Sequence, residues 1–148
     1  MDLELLKPNE PKYQQVTLPK DITDLNSEQL AEMFTALTIW ADYLASQLAE
    51  SQIKERNAKN KLDFEENTQL VRRMGSAVKG ERVTLVKAQI ATDPKVVALS
   101  DSYEETYAYR KILEMLVNNH DRDLALVSRE ITRRTSDQRA MRKDYNTL

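Results

Sequence analysis

The side chains best suited to chemistry in this 148-residue chain are lysines and arginines clustered near its middle. Residues 51–91 carry nine basic and five acidic side chains, although the whole chain has a net charge of −2. A localised group of cations attracts phosphates through counterion release and needs no base-specific contact. The candidate DNA-binding residues fall in two clusters, 54–61 and 72–87, with one aromatic neighbour: Lys54, Arg56, Lys59, Lys61, Phe64, Arg72, Arg73, Lys79, Arg82 and Lys87.

Phe64 follows Lys61 by three residues, so on a helix it adjoins the cationic face and is placed to stack on an unpaired base. The same spacing also fits an ordinary solvated helix face whose cations pair with nearby carboxylates. Spacing alone favours that second interpretation somewhat. The carboxylates available for such pairing are Glu55, Asp63, Glu65 and Glu66.

The inventory of reactive side chains argues against catalysis. The chain has no cysteine and one histidine, His120, which falls on the apolar spacing of its helix and is expected to be buried. The adjacent carboxylates Glu65/Glu66, Glu104/Glu105 and Asp121/Asp123 point to different faces of a helix. No glycine-rich phosphate loop is present. The sequence therefore predicts a protein that is not an enzyme, with no cofactor and no metal.

Glycine and proline are scarce, and this scarcity indicates which secondary-structure elements position the cations. The chain has two glycines and four prolines, and residues 20–74 and 95–148 contain neither. Sheet folds need many tight turns built from these residues. We therefore predict an all-α protein, a long helical hairpin with helix 27–74, a turn at 75–80, and helix 81–91 leading into helix 93–135. The turn should bring the two basic clusters together.

Three prolines before residue 20 predict an extended or mobile N-terminal arm at 1–25, a helical domain at 26–135 and a basic C-terminal tail at 136–148. Asn26 and Gln29 form a capping-box pair at the start of the first helix. Asp93 and Pro94 are typical of a later helix start. Apolar side chains continue along the last helix, with Arg110 and His120 interrupting them.

Two long apolar stripes are more than a simple hairpin can bury, and exposed stripes usually find a partner chain. We therefore expect a homo-oligomer. Its predicted interface comprises the apolar residues of the last helix: Leu113, Leu116, Val117, Leu124, Val127 and Ile131.

No stretch of the sequence fits a membrane span or a secretory signal. The longest uncharged run, Met33 to Ala41, has nine residues, whereas a span needs about 20. The first residues, Met1 to Glu4, are acidic and lack an apolar segment. The expected location is the cytoplasm, that of the host if a phage encodes the chain.

Two segments resemble the UvsY family of bacteriophage recombination mediators. The run Lys59-Asn60-Lys61-Leu62-Asp63-Phe64 resembles the family's Lys-x-basic-Leu-Asp-aromatic segment, and residues 87–96 resemble the stretch leading into its second long helix. A tryptophan upstream of the basic run, here Trp40, is similar. The resemblance covers roughly residues 30–130 and does not extend to the arm.

The resemblance implies a non-enzymatic, ring-like homo-oligomer that binds single-stranded DNA. It further implies that the protein helps a RecA-like recombinase displace a single-strand-binding protein, with Lys59 and Lys61 contacting DNA. A different class fits the helices and charge blocks equally well: an oligomeric helical scaffold or virion-assembly adaptor that contacts only protein.

Overall fold

The computed structural model describes residues 8–12, 16–76 and 82–145, and almost all of them are helical. A short 3-10 helix, Ile22–Asp24, precedes three α-helices: α1 (Ser27–Ser76), α2 (Val83–Ala91) and α3 (Pro94–Tyr145). The described ranges contain no β-strand. The predicted all-α class is confirmed.

Local signals located the starts of α1 and α3 correctly, whereas α2 begins at Val83 and not at the predicted residue 81. The Asn26 backbone N–H donates to Gln29 Oε1 at 2.9 Å and the Gln29 N–H donates to Asn26 Oδ1 at 2.8 Å, so the capping box forms. The Asp93 carboxylate accepts from the Lys95 N–H at 3.0 Å, directly before Pro94 opens α3. Both motifs satisfy backbone donors that a helix start leaves unpaired.

Two helix ends differ from the prediction. Helix α1 continues to Ser76, so Gly75 belongs to its last turn, and residues 77–81 lie outside the described residues. Helix α3 continues to Tyr145, ten residues beyond the predicted end at 135. Residues 136–145 contain no glycine or proline to stop it. Arg133 Nη1 also contacts Asp137 at 2.9 Å, one turn further along the helix.

The chain divides into two compact units. Unit 1 comprises Met1–Gln47 and Glu114–Leu148, and unit 2 comprises Leu48–Leu113. In unit 1 the core is formed by Leu30 and Leu37 of α1 with Val127 of α3, all at most 1% exposed. Burial of such side chains stabilises each by about 1.5–3 kcal/mol relative to exposure.

The segment before α1 packs on this core, which corrects the predicted extended or mobile arm for residues 16–25. Val16, Leu18, Ile22 and Leu25 contact the core cluster of unit 1. Arg134 Nη2 of α3 donates to the Thr23 carbonyl at 3.1 Å. The apolar residues that lie between the prolines and α1 supply contacts that an extended arm would lack.

Unit 2 has a smaller apolar core and a more polar helix contact. Val86 and Ile90 of α2 pack with Val96 of α3, and Leu62 and Leu70 of α1 lie against them. Three charged pairs then join α1 to the loop before α3 or to α3 itself: Glu55–Arg110, Glu65–Lys95 and Arg73–Asp93.

The less exposed residues of α3 recur at alternating spacings of three and four, the pattern of a coiled-coil seam. Arg110 and His120, which interrupt the apolar stripe in the sequence, both occupy seam positions. The seam residues of α3 are Val96, Leu99, Tyr103, Thr106, Arg110, Leu113, Val117, His120, Leu124, Val127, Ile131 and Arg134.

Packing within the chain accounts for part of the predicted oligomer interface. Val127 is fully buried against Leu30 and Leu37, and Leu124 and Ile131 pack on the same cluster. Leu113 is buried, while Leu116 and Val117 are half-buried. Leu124, Val127 and Ile131 therefore belong to the core of their own chain, and the assignment of the six residues as an oligomer interface stays a prediction. Homo-oligomerisation stays a prediction.

Candidate nucleic-acid interface

The predicted DNA-binding residues that the structure describes all belong to unit 2, on α1 and α2. Along α1 the protected positions follow a spacing of four and three, and they include Glu55, Leu62 and Glu65, which contact α3 or the core. This seam comprises Ser51, Glu55, Ala58, Leu62, Glu65 and Gln69. The basic residues at other positions of the helix are therefore left towards solvent.

Most of the predicted cations are exposed and make no salt bridge with another described residue. These are Arg56, Lys59, Lys61, Arg72, Arg82 and Lys87. Two others are engaged: Lys54 Nζ contacts Glu50 at 2.7 Å, and Arg73 Nη2 contacts Asp93 at 3.5 Å. Lys79 lies outside the described residues.

Two of the four carboxylates expected to neutralise the basic cluster are engaged elsewhere. Glu55 pairs with Arg110 of α3, and Glu65 Oε2 contacts Lys95 Nζ at 2.6 Å. The hydrogen bond from Lys95, followed by one from Gln69, lowers the pKa of Glu65, so this carboxylate stays ionised in mild acid. Glu55 and Glu65 are therefore not available to Lys59 and Lys61, while Asp63 and Glu66 are exposed and make no salt bridge with a described residue.

Three of the predicted cations line two separate grooves. Arg56 and Lys59 line a groove of about 360 Å³ with Gln52, Glu55 and Arg110. Lys87 lines another groove, of about 250 Å³, formed by Glu66, Asn67, Leu70, Ile90 and Ala91. The packing of α2 places Lys87 beside residues 66–70 of α1, which follow Lys61 along the helix.

Arg110 is the residue of this region that the sequence did not indicate as functional. Its guanidinium contacts the Glu55 carboxylate and lies 5.2 Å from the centre of the Tyr107 ring, a cation–π distance. It also lines the groove of Arg56 and Lys59. The sequence signal for Arg110 is its position in the three-four spacing of α3. A charged residue at such a position interrupts the apolar pattern, and its partner Glu55 lies on α1.

Phe64 is 72% exposed and does not belong to either core cluster. An aromatic ring of this exposure is unusual for a packing residue and is accessible to a planar ligand. The exposed ring lies on the same helix as the unpaired cations Lys59 and Lys61. An exposed aromatic ring and exposed cations are therefore present in one element.

His120 is 4% exposed and its Nε2 has no hydrogen-bond partner among the described residues. No group of three histidine, aspartate or glutamate side chains in the described ranges is arranged to hold a metal ion. No described helix is long and apolar enough to cross a membrane.

Comparison of the chain with family models, with curated proteins and with solved structures finds no match.

Proposed function

We propose that this protein binds single-stranded DNA through the exposed cations of α1 and α2 and acts as a recombination mediator. In this role it helps to load a RecA-like recombinase and to displace single-strand-binding protein during phage DNA recombination and repair. One observation carries the binding proposal: Lys59 and Lys61 are exposed while the neighbouring Glu55 and Glu65 are paired with α3 or its first turn. The mediator role rests on the family resemblance of residues 59–64 and 87–96.

Weak contacts from several subunits suit such a role. Each chain offers a handful of unpaired cations, and each phosphate contact to a single strand adds about 0.7 to the slope of log affinity against log salt. A homo-oligomer multiplies these contacts by raising the effective concentration of neighbouring sites. Such binding is strong at low salt, and the protein dissociates readily when another protein competes for the strand.

The first experiment is fluorescence anisotropy with a labelled oligonucleotide over a range of salt concentrations. We expect wild-type protein to bind, and the double variant Lys59→Ala/Lys61→Ala to bind more weakly with a salt slope reduced by about 1.4. The matched control is Lys12→Ala/Lys20→Ala, which removes two exposed lysines from unit 1. Equal loss in both double variants would remove the assignment of Lys59 and Lys61.

The mediator role has a separate test. The single-strand-dependent ATPase of a RecA-like recombinase is measured on DNA coated with single-strand-binding protein, with and without this protein. We expect a shorter lag with wild-type protein and no effect from Lys59→Ala/Lys61→Ala. Oligonucleotide binding without any effect on the lag would keep the DNA-binding proposal and contradict the mediator role.

A protein-only scaffold is the second candidate, and exposed apolar side chains favour it. In unit 1, Met115 is 54% exposed and Leu126 is 44% exposed. Contact with another protein is a usual reason for such exposure when several apolar residues lie together. An oligomer in light scattering that fails to bind oligonucleotide at low salt would support this candidate.

A further inference from the structure

One face of α1 in unit 2 is uncharged over seven positions and fully accessible. Its residues alternate in spacing by four and three, so they form a single line about 31 Å long at 1.5 Å per residue. Every one is exposed, and the line lies opposite the seam that contacts α3. We call this surface the uncharged face: Ile53, Asn57, Asn60, Phe64, Asn67, Val71 and Met74.

Four of the seven side chains of the uncharged face are of types that bind unpaired bases, and the other three, Ile53, Val71 and Met74, are apolar. Phe64 offers an aromatic ring that is 72% exposed. Asn57, Asn60 and Asn67 each carry an amide that both donates and accepts, and these amides make no hydrogen bond with another described residue. Stacking on exposed aromatic rings and hydrogen bonding to base edges are the two ways in which proteins hold single-stranded bases.

Cations border this face on both sides, and one carboxylate, Asp63, shares the edge of Arg56 and Lys59. On a helix of 3.6 residues per turn, Lys54, Lys61 and Arg72 lie along one edge, and Arg56 and Lys59 lie along the other. Four of the five, all except Lys54, make no salt bridge with a described residue. A strand whose bases lie on the uncharged face would therefore have its phosphates next to lysine and arginine on either side.

The charges favour a polyanion over a second copy of this chain as the occupant. An identical helix laid antiparallel about Phe64 would bring Lys54 near Arg72 of the second copy and Asp63 near its own counterpart. Like charges at facing positions are destabilising. A polyanion meets no such opposition along the edge formed by Lys54, Lys61 and Arg72.

We infer that the uncharged face of α1 is where the bases of single-stranded DNA lie, with Phe64 stacking on a base and Asn57, Asn60 and Asn67 contacting base edges. The inference rests on the proposed function and adds to it: the protein recognises bases as well as phosphates. It follows that unpaired strands are preferred to duplexes, whose bases are already stacked and paired.

The test uses the full chain with two probes of equal length, a natural single-stranded oligonucleotide and the same sugar–phosphate strand without bases. Wild-type protein is expected to bind the natural strand about tenfold more tightly than the abasic strand. The Phe64→Ala/Asn60→Ala variant is expected to lose most of that difference while its salt slope stays unchanged, because no phosphate contact is removed. The matched control is Phe34→Ala, an exposed aromatic residue of α1 in unit 1.

Each result is decisive. Equal wild-type affinity for both strands overturns base recognition and leaves phosphate binding in place, whereas failure to bind either strand overturns the proposed function as well. Unchanged affinity in Phe64→Ala/Asn60→Ala, with native helicity by circular dichroism, overturns the assignment of this face. Conversion of an oligomer to a monomer by that variant in sedimentation would identify the face as a contact between copies and overturn the inference.

Discussion

At the scale of single residues, Glu130 of α3 shows how a protected carboxylate is kept ionised. Its side chain is 8% exposed and contacts Arg133 Nη2 at 2.8 Å and Arg134 Nε at 2.7 Å. The hydrogen bonds from Arg133 and then Arg134 lower the pKa of Glu130 from 4.5 to about 2. Arg134 in turn donates to the Thr23 carbonyl, so one carboxylate orients the cation that holds the segment before α1.

This pKa predicts an acid-dependent loss of stability. Because the folded carboxyl binds its proton less readily than the unfolded one, its contribution is present at neutral pH and falls as pH drops from about 5 to 2. We expect Glu130→Gln to lower the free energy of unfolding at pH 7, and the gap from wild type to narrow in acid. Urea unfolding at several pH values measures this.

The control for this measurement is Glu104→Gln, an exposed carboxylate of α3 without an ion pair among the described residues. We expect its difference from wild type to stay small, within about 0.5 kcal/mol, at each pH. A gap for Glu130→Gln that stays constant down to pH 2 would contradict the assigned role of the Glu130 charge.

At the scale of elements, the start of α1 depends on a reciprocal pair of hydrogen bonds between Asn26 and Gln29. Replacing Asn26 by alanine removes the acceptor for the Gln29 N–H and should lower stability by about 1 kcal/mol. Thermal or urea unfolding checks this value, with Ser102→Ala as a control on the exposed surface of α3. An Asn26→Ala variant as stable as the control would show that the cap contributes nothing.

The elements also show what the sequence could predict and what it could not. The helix starts at Asn26 and Asp93 were predictable because each depends on side chains within three residues of the cap. Arg110 and His120 appeared to break the stripe of α3, because the residues that cover them come from distant parts of the chain. The packing of Val16 and Leu18 on α1 and α3 was missed for the same reason.

The candidate site likewise has features that the sequence predicted and features that it did not. The exposure of Lys59 and Lys61 agrees with the solvated helix face that their spacing favoured. Their freedom from salt bridges did not follow, because it depends on Glu55 being paired with Arg110, 55 residues away in sequence. The charge pattern of one helix does not show which of its carboxylates form ion pairs with a second helix.

At the scale of the whole molecule, the two units differ in what holds their helices together. Unit 1 has leucine and valine at its core, with Leu37 and Val127 fully buried. In unit 2 the α1 seam has serine, glutamate and glutamine at four of six positions, including Glu55 and Glu65. Regions with fewer buried apolar contacts open more readily.

We therefore predict that backbone amides at 48–76 of α1 exchange with deuterium faster than those at 30–47. Hydrogen exchange followed by mass spectrometry of peptides from each range measures the difference, and bound oligonucleotide should slow exchange in the first range. Equal protection of both ranges would contradict the view that polar seam residues weaken unit 2. Protection only at 30–47 on adding oligonucleotide would place the DNA elsewhere.

The polar pairs of unit 2 have a consequence for how the chain finds its alignment. Two helices joined by an apolar seam can shift by one heptad relative to each other at little cost, because each leucine then packs against another apolar side chain. After such a slip Glu55 would face Tyr103 in place of Arg110, and both charges would lose their partners. Charged seam residues used in this way select a single pairing. The charged pairs of unit 2 thus select one alignment of its helices, and that alignment fixes the position of each cation of α1.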